Sequence, residues 1–204
     1  MALGYLSGKA SGKFLKTEVN LPLVFTLSVL PDIDLLFPVF LQHRGPTHSV
    51  IVAFLVFAPF FAVYHRKVVP YFLAFILHPL VGDYIAGGNV QLLWPLSQQY
   101  FGMAIDIGSP VNVGLEWVFF LLAMALMVKV DDLAVLLQPH NSNLLLAVPT
   151  FTVLLPTFLC FPLHVPVWLI LPHLFYLFIF SAAILVDVYW AVKNRSAGKL
   201  KSPS

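Results

Sequence analysis

Apolar residues run along this chain in long stretches, and the polar residues are gathered between them. Crossing about 30 Å of hydrocarbon as a helix needs roughly 20 such residues. Six stretches are candidates: 21–41, 49–64, 68–86, 111–128, 144–163 and 165–190. The pattern therefore predicts an all-α, polytopic integral membrane bundle of about six transmembrane helices.

Helix-breaking residues interrupt three of these spans. The breaks are Pro31 in the first, Pro79 with Gly82 in the third, and Pro149, Pro156 and Pro162 in the fifth. Membrane helices tolerate such residues because neighbouring helices satisfy the freed backbone groups. We expect kinked or broken helices, and the nearly loop-free junction between spans five and six allows a re-entrant hairpin instead.

Composition supports a membrane protein. Hydrophobic residues make up 60% of the chain and charged residues 10%, whereas soluble domains carry about 25% charge. The lipid bilayer is the predicted partner, and no feature indicates nucleic acid. The single cysteine, Cys160, excludes an intramolecular disulfide and a cysteine-rich zinc site. Residues 1–20 lack the apolar core of a cleavable signal peptide.

The distribution of basic residues predicts an orientation. With both termini in the cytoplasm, only Arg44 falls outside, and the other ten basic residues fall inside: Lys9, Lys13, Lys16, Arg66, Lys67, Lys129, Lys193, Arg195, Lys199 and Lys201. We therefore expect a multi-pass plasma-membrane protein. Its parts are a cytoplasmic basic N-terminal segment (1–20), the bundle (21–190) and a cytoplasmic basic tail (191–204).

In this topology, ionisable residues converge near the outer face. An ionisable side chain within a span costs several kcal/mol, so each one is a functional candidate. The cluster contains Asp32, Asp34, His43, His48, His78, Asp83 and Glu116. Burying so many carboxylates and imidazoles at one depth without a cation would be very expensive.

Other polar residues have structural interpretations. A hydrogen-bonded core position suits His173, and pairing with a nearby lysine suits Asp187. Ser49 is expected to cap the following helix. His65 and His140 are expected at an interface and in a loop.

Imidazoles and carboxylates without thiolates favour Zn²⁺, with Mn²⁺ or Fe²⁺ as alternatives. Asp32 and Asp34 face opposite ways in an extended turn, so one could bind the metal while the other orients a ligating histidine. His78 and Asp83 lie five residues apart, about 140° around a regular helix. They need the distortion that the proline and glycine of HPLVGD can supply.

A divalent metal with an open coordination position lowers the pKa of water to about 7 and polarises an ester or phosphoryl oxygen. The expected activity is hydrolysis of a lipid or another membrane-proximal ester or phosphoester. Asp32 or Glu116 would be the general base, and Arg44 would hold an anionic group through its guanidinium fork.

The order of four motifs along the chain resembles the YdjM-like family, described as membrane-bound metal-dependent hydrolases. These motifs are LPDID, HRGPTHS, the histidine–aspartate pair of HPLVGD, and LLWPLS. The resemblance covers roughly residues 28 to 110. It implies metal ligation by Asp34, His48, His78 and Asp83, with Asp32 and His43 as further ligands or as residues that orient them. More distantly it is similar to zinc-dependent phospholipase C and P1-type nucleases, which implies a phosphodiester substrate.

This chain departs from the expected family spacing, because HPLVGD separates histidine and aspartate by five positions rather than four. Two other functions remain open. An ion or metal transporter would need a polar path from the outer cluster toward Asp187. A structural membrane protein would use a saturated, buried metal only to join its helices.

Overall fold

The computed structural model describes residues 1–86, 88–103, 105–159 and 165–199, with side chains described up to residue 194. The last residues of the fifth predicted span and the end of the basic tail lie outside these ranges. The described α-helices are α1 (Ala2–Leu15), α2 (Leu21–Leu27), α3 (Val50–Tyr64), α4 (Val69–Leu77), α5 (Pro110–Lys129), α6 (Asp132–Leu136), α7 (Ala147–Pro149), α8 (Leu155–Leu159) and α9 (Ile170–Lys199).

Polar side chains cap the N-termini of three helices. Asn20 accepts a hydrogen bond from a backbone N–H at the start of α2, and Ser109 does the same for α5. Ser49 accepts from two N–H groups at the start of α3, as the sequence indicates. These caps fix where each apolar helix begins.

Among the described residues, four stretches are long and apolar enough to cross a membrane: Val50–Asp83, Pro110–Lys129, Asn141–Leu159 and Val167–Asn194. The structure is all-helical as expected, but it does not confirm six spanning helices. The first predicted span, 21–41, is too broken to qualify. Its α-helix ends at Leu27, and a 3₁₀ helix that begins just before Pro31 follows at Leu30–Leu36.

The stretch Val50–Asp83 is a helical hairpin. The backbone reverses at His65, which has a φ of 51°. Beyond the reversal, the ring of Phe57 lies 5.6 Å from that of Phe75, and Phe61 lies 5.5 Å from Phe72. These contacts require α3 and α4 to pack side by side.

Residues 2–15, which the sequence places in a basic segment ahead of the bundle, form a helix packed within it. Glycines recur every fourth residue on the buried face of α1, at Gly4, Gly8 and Gly12. A Cβ at Gly4 would lie 2.3 Å from the Cβ of Ser28. Small residues at this spacing let two helix backbones approach closely.

The core joins α1 to the later helices. Tyr5 stacks on Phe25 with ring centroids 5.4 Å apart, and Phe25 meets Phe180 edge to face at 5.0 Å. The Tyr5 hydroxyl donates to Asp132 at 2.7 Å, and Lys9 Nζ lies 2.9 Å from the same carboxylate. The hydrogen bond and ion pair attach α1 to α6.

Helices α5 and α9 run parallel. Trp117 Nε1 donates to the carbonyl of Trp168 at 2.9 Å, and further along both helices Phe120 packs edge to face against Tyr176. Basic residues lie in the last two turns of α1, α3, α5 and α9 or just beyond them: Lys16, Arg66, Lys129 and Lys193. One end of the bundle is therefore basic, and the ionisable cluster lies at the other.

Candidate metal centre

Two histidines and two aspartates from three helical turns converge on a common point. His48 Nε2 lies 3.5 Å from Asp32 Oδ1 and 3.4 Å from Asp83 Oδ2. His78 Nε2 lies 3.3 Å and 3.2 Å from the same two oxygens. Asp32 comes from the 3₁₀ helix Leu30–Leu36, and His48 ends the next 3₁₀ turn, Pro46–His48.

Hydrogen bonds set the orientation of the His48 ring. Thr47 Oγ1 donates its only proton to Asp34 Oδ2 at 2.8 Å. Because that proton is used, Thr47 Oγ1 can only accept from His48 Nδ1, which lies 3.0 Å away. Nε2 then faces the centre, where it is fully buried without a hydrogen-bond partner. This is the arrangement found in metal-binding histidines, whose other ring nitrogen donates to a neighbouring acceptor.

His78 follows the same rule. Its Nδ1 donates to the carbonyl oxygen of Ser28 at 2.9 Å, and its buried Nε2 has no hydrogen-bond partner. His78 and Asp83 bound a π-helical turn that follows α4. Because a π turn is closed by i→i+5 hydrogen bonds, it brings residues five apart onto one face. This is the distortion that the sequence required.

Asp34 faces away from the common point. Its Oδ1 accepts from His43 Nδ1 at 2.9 Å, and its Oδ2 accepts from the backbone N–H of Arg44 at 3.2 Å and from Thr47. His48 Nδ1 lies 3.3 Å from the same Oδ2. The carboxylate thus holds the HRGPTHS turn together from behind.

The charged groups of LPDID and HRGPTHS favour binding of a cation. Burial alone would raise the pKa of Asp32, but the close approach of the His78 and His48 imidazoles holds it well below its usual range. Burial would also raise the pKa of Asp34, and hydrogen bonds from His43 and His48 outweigh it. Burial lowers the pKa of His48, yet the neighbouring carboxylates of Asp32, Asp34 and Asp83 raise it to about 9. A proton and a metal ion compete for the same imidazole lone pair.

Arg44 is held in an uncommon backbone conformation, with a φ of 62°. Its N–H donates to Asp34, and its carbonyl accepts from Gln91 N at 3.0 Å. The guanidinium Nε lies 3.3 Å from Asp83 Oδ1. A Cβ at Gly88 would lie 2.6 Å from Arg44 Nη1, so glycine makes room for this side chain.

A cavity of about 540 Å³ opens beside the centre. Asp32, His43, Arg44, His78 and Asp83 form part of one wall. Glu116, also expected at this depth, lines the same cavity from α5, although it contributes to neither of the metal-competent groups found among the described residues.

The remaining polar candidates do not join the centre. Asp187 is not among the residues that line the cavity; it accepts from His140 N at 2.6 Å and from Asn143, rather than pairing with a lysine. His173 Nδ1 donates to the carbonyl of Leu169, as expected of a core histidine. Asp187 instead lines a different pocket, together with Leu144 and Val188.

Two overlapping groups of side chains could hold a metal ion: Asp32, His43 and His48, and His48, His78 and Asp83. The model of the YdjM inner membrane protein family matches residues 1–165. The chain belongs to the YdjM inner membrane protein family. The comparison with curated proteins found no match, and the comparison with solved structures found none either.

Membership of the YdjM family and the apolar helices together identify an inner membrane protein. Two groups that shape the centre of this YdjM family member carry no recognisable signal in the residue pattern. The Ser28 carbonyl, which orients His78, is a backbone group and leaves no trace in residue type. Gly88 has a φ of 124°, a conformation that an isolated glycine does not reveal.

Proposed function

We propose that this protein is a membrane-bound metal-dependent hydrolase, with its metal ion held by Asp32, His48, His78 and Asp83. The observation that carries the proposal is the pair of buried imidazole Nε2 atoms. Each lies 3.2–3.5 Å from two carboxylate oxygens without a hydrogen-bond partner. A cation at the common point would satisfy all four ligand atoms at once.

The chemistry of the ligands supports zinc. Zinc readily binds imidazole nitrogen together with carboxylate oxygen, whereas magnesium prefers oxygen ligands and keeps several waters. The two imidazoles among the four proposed ligands therefore favour zinc over magnesium.

This proposal exchanges the roles that the family resemblance gave to two aspartates. Asp32 takes the ligand position, because its Oδ1 faces both free imidazole nitrogens. Asp34 takes the orienting position, because both of its oxygens already accept hydrogen bonds from the HRGPTHS turn. An orienting residue of this kind typically changes metal affinity by 10–100-fold.

The general base in this proposal is His43. Its Nδ1 is hydrogen-bonded to Asp34, its ring is 41% exposed, and it lines the cavity beside Asp32. An imidazole oriented by a carboxylate is suited to take a proton from attacking water. Asp32 is occupied as a ligand, and Glu116 lies on another element of the cavity wall.

The metal would supply Lewis-acid activation of water and of an ester or phosphoryl oxygen. The other residues position the substrate. Arg44, fixed against Asp83 and Gly88, would hold the anionic group of a phosphoester at the cavity wall. His43 would return its proton to the leaving oxygen.

A lipid or other membrane-proximal substrate fits the surroundings of the centre. Val39 and Phe40, in the loop before HRGPTHS, are 87% and 84% exposed. Leu96 and Met103, in the loop that follows the π turn, are also exposed. Neither 35–41 nor 92–103 contains an Asp, Glu, Lys, Arg or His residue. Uncharged, apolar loops beside an open cavity suit contact with lipid.

We propose further that the centre faces outward and that the basic end faces the cytoplasm. The basic residues at the far ends of α1, α3, α5 and α9 support this orientation. Lys193 also lies 4.9 Å above the Trp190 ring, a pair typical of a membrane interface.

Gln99→Cys is expected to react with an impermeant maleimide in intact cells, and Lys67→Cys only after the membrane is opened. The reverse pattern would contradict the orientation. Because Met1 lines the cavity beside the centre, this orientation would place the start of α1 toward the outer face, unlike the cytoplasmic segment 1–20 expected from the sequence. The cytoplasmic location of the C-terminus stays a prediction.

Metal content and hydrolysis test the central proposal together. Purified protein is expected to retain about one equivalent of zinc and to hydrolyse phospholipid vesicles of defined composition, with products identified by mass spectrometry. His48→Ala is expected to lose both the metal and the activity. His43→Gln is expected to keep the metal and lose the activity. Full zinc content in His48→Ala would refute the ligand assignment.

A structural role for the metal is the second candidate, because four protein ligands are also typical of structural zinc sites. Under that hypothesis, His43→Gln would affect only the stability of the fold, and removal of the metal by a chelator would unfold the protein. The proposed hydrolase differs in leaving one side of the centre open to the cavity. Hydrolysis that depends on His43 at unchanged zinc content separates the two.

A further inference from the structure

The cavity has a second polar wall that the hydrolase proposal does not use. It is built by α5 and α9 and carries Glu116, His173 and Tyr176, which line the same cavity as the metal centre. All three lie in stretches apolar enough to span a membrane. Polar side chains are costly in such stretches, so three of them on one cavity require an explanation.

Helix packing brings these residues to adjacent levels. The rings of Phe120 and Tyr176 meet edge to face with centroids 5.7 Å apart, so these positions of α5 and α9 face each other. Glu116 precedes Phe120 by four residues, and His173 precedes Tyr176 by three. Residues at these spacings share a helix face. Glu116 and His173 therefore lie one helical turn closer to the N-termini of α5 and α9, on the faces that these two helices turn toward each other.

The hydroxyl of Tyr176 is a buried polar group of a residue that lines the cavity. Tyr176 is only 4% exposed, and its hydroxyl has no hydrogen-bond partner in the described structure. Buried polar groups are otherwise almost always paired, and an unpaired one lowers stability. The neighbouring Thr157 shows the contrast, because its hydroxyl already donates to the carbonyl of Val153 at 2.9 Å.

The wall is rich in acceptors. Since a carbonyl can only accept, the hydrogen bond from His173 to Leu169 places the proton on Nδ1 and leaves Nε2 as an acceptor. The Glu116 carboxylate offers further acceptors, and Tyr176 can accept as well as donate. This wall therefore suits a group that carries several hydrogen-bond donors, and its carboxylate disfavours an additional anion.

We propose that Glu116, His173 and Tyr176 form a recognition subsite for a lipid head group rich in hydrogen-bond donors, whether hydroxyl or primary amine. The remaining lining includes apolar side chains such as Leu115, Phe119 and Val153, which suit a hydrocarbon chain. A cavity of about 540 Å³ is within the range of small-molecule sites. The identity of the reacting ester depends on the hydrolase function proposed above, but head-group recognition is a property of this wall alone.

Equilibrium binding of short-chain phospholipids tests the subsite without a need for turnover. The probes are dihexanoyl phosphatidylethanolamine and phosphatidylglycerol, which carry donors, and dihexanoyl phosphatidylcholine, which carries none. Binding to the full-length protein in detergent is followed below the critical micelle concentration of each lipid. We expect the two donor-bearing lipids to bind at least tenfold more tightly than phosphatidylcholine.

Substitutions localise the preference. Glu116→Gln and Tyr176→Phe are expected to reduce the preference to less than threefold while leaving the affinity for phosphatidylcholine unchanged. Thr157→Val removes a cavity hydroxyl that is already paired, so it is expected to keep the full preference. Equal binding of all three lipids to the wild type would overturn the proposal, and so would a full preference in both Glu116→Gln and Tyr176→Phe.

The same measurements distinguish failure of the subsite from failure of the hydrolase. If the wild-type protein holds no zinc and hydrolyses nothing but keeps the donor preference, the subsite stands and the hydrolase proposal fails. If zinc and hydrolysis are present without any donor preference, the subsite proposal is wrong and the hydrolase stands.

Discussion

His78 Nε2 lies 3.2 Å from Asp83 Oδ2, although a regular α-helix would place these two residues far apart around its axis. The π turn His78–Asp83 resolves this conflict by placing both on one face. Pro79 lacks the N–H that would continue the regular hydrogen-bond pattern, which favours such a turn. The five-residue spacing is therefore compatible with joint ligation.

The two aspartates of LPDID are expected to respond differently to the same substitution. Asp32→Asn removes a ligand and should abolish zinc retention. Asp34→Asn keeps the shape of the side chain but replaces one acceptor oxygen behind the HRGPTHS turn with a donor, and it should weaken zinc binding by about 10–100-fold. Zinc titration against a competing chelator measures both. Loss of zinc from Asp34→Asn alone would restore the assignment implied by the family resemblance.

Two identical glycine substitutions are expected to differ in their effect on stability. A Cβ at Gly4 would meet Ser28 at 2.3 Å, whereas nothing lies within 4 Å of a Cβ at Gly114. Gly4→Ala should destabilise the protein by about 1–3 kcal/mol, the usual cost of overpacking. Gly114→Ala should be neutral or slightly stabilising, since alanine favours a helix. Thermal unfolding in detergent gives the comparison, and equal midpoints would contradict close packing of α1.

The attachment of α1 to α6 is expected to depend more on Tyr5 than on Lys9. Tyr5 is fully buried and donates to the Asp132 carboxylate, so Tyr5→Phe should cost about 1.5–3 kcal/mol. The Lys9 side chain is 26% exposed, and its ion pair should contribute about 1 kcal/mol or less. Chemical denaturation of Tyr5→Phe and Lys9→Met measures the order. A larger loss in Lys9→Met would show that the ion pair dominates.

Phe40 is expected to lie in lipid and Gln99 in water, although both belong to exposed loops at the same end. A nitroxide on Phe40→Cys should collide more often with oxygen than with a water-soluble nickel complex, and one on Gln99→Cys should show the opposite. Replacing the single native cysteine in both variants makes the label specific. Preferential access of nickel at position 40 would remove the support from lipid contact.

The convergence of the site could be predicted from the sequence, because the cost of burying charge applies whatever the exact fold. Asp32, His48, His78 and Asp83 meet as that argument requires. The choice between Asp32 and Asp34 could not be predicted. It depends on which way a 3₁₀ turn directs each carboxylate, and residues two apart in sequence leave that open.

The number of spanning helices was the weakest prediction from the sequence. Hydropathy cannot distinguish a spanning helix from two short segments, and residues 21–41 are apolar but divided by a 3₁₀ helix. The helix α1 was missed because its sequence is weakly apolar. It packs through glycines, which bring the backbones together without adding hydrophobicity.

The order of the ligands along the chain has a consequence for biosynthesis. Asp32 and His48 precede the hairpin Val50–Asp83, while His78 and Asp83 form its last turn. Half of the centre must therefore wait until the hairpin has entered the membrane and folded back on itself. Metal capture at the proposed centre would then be a late step of maturation, and it would lock the hairpin to the segment that was made before it.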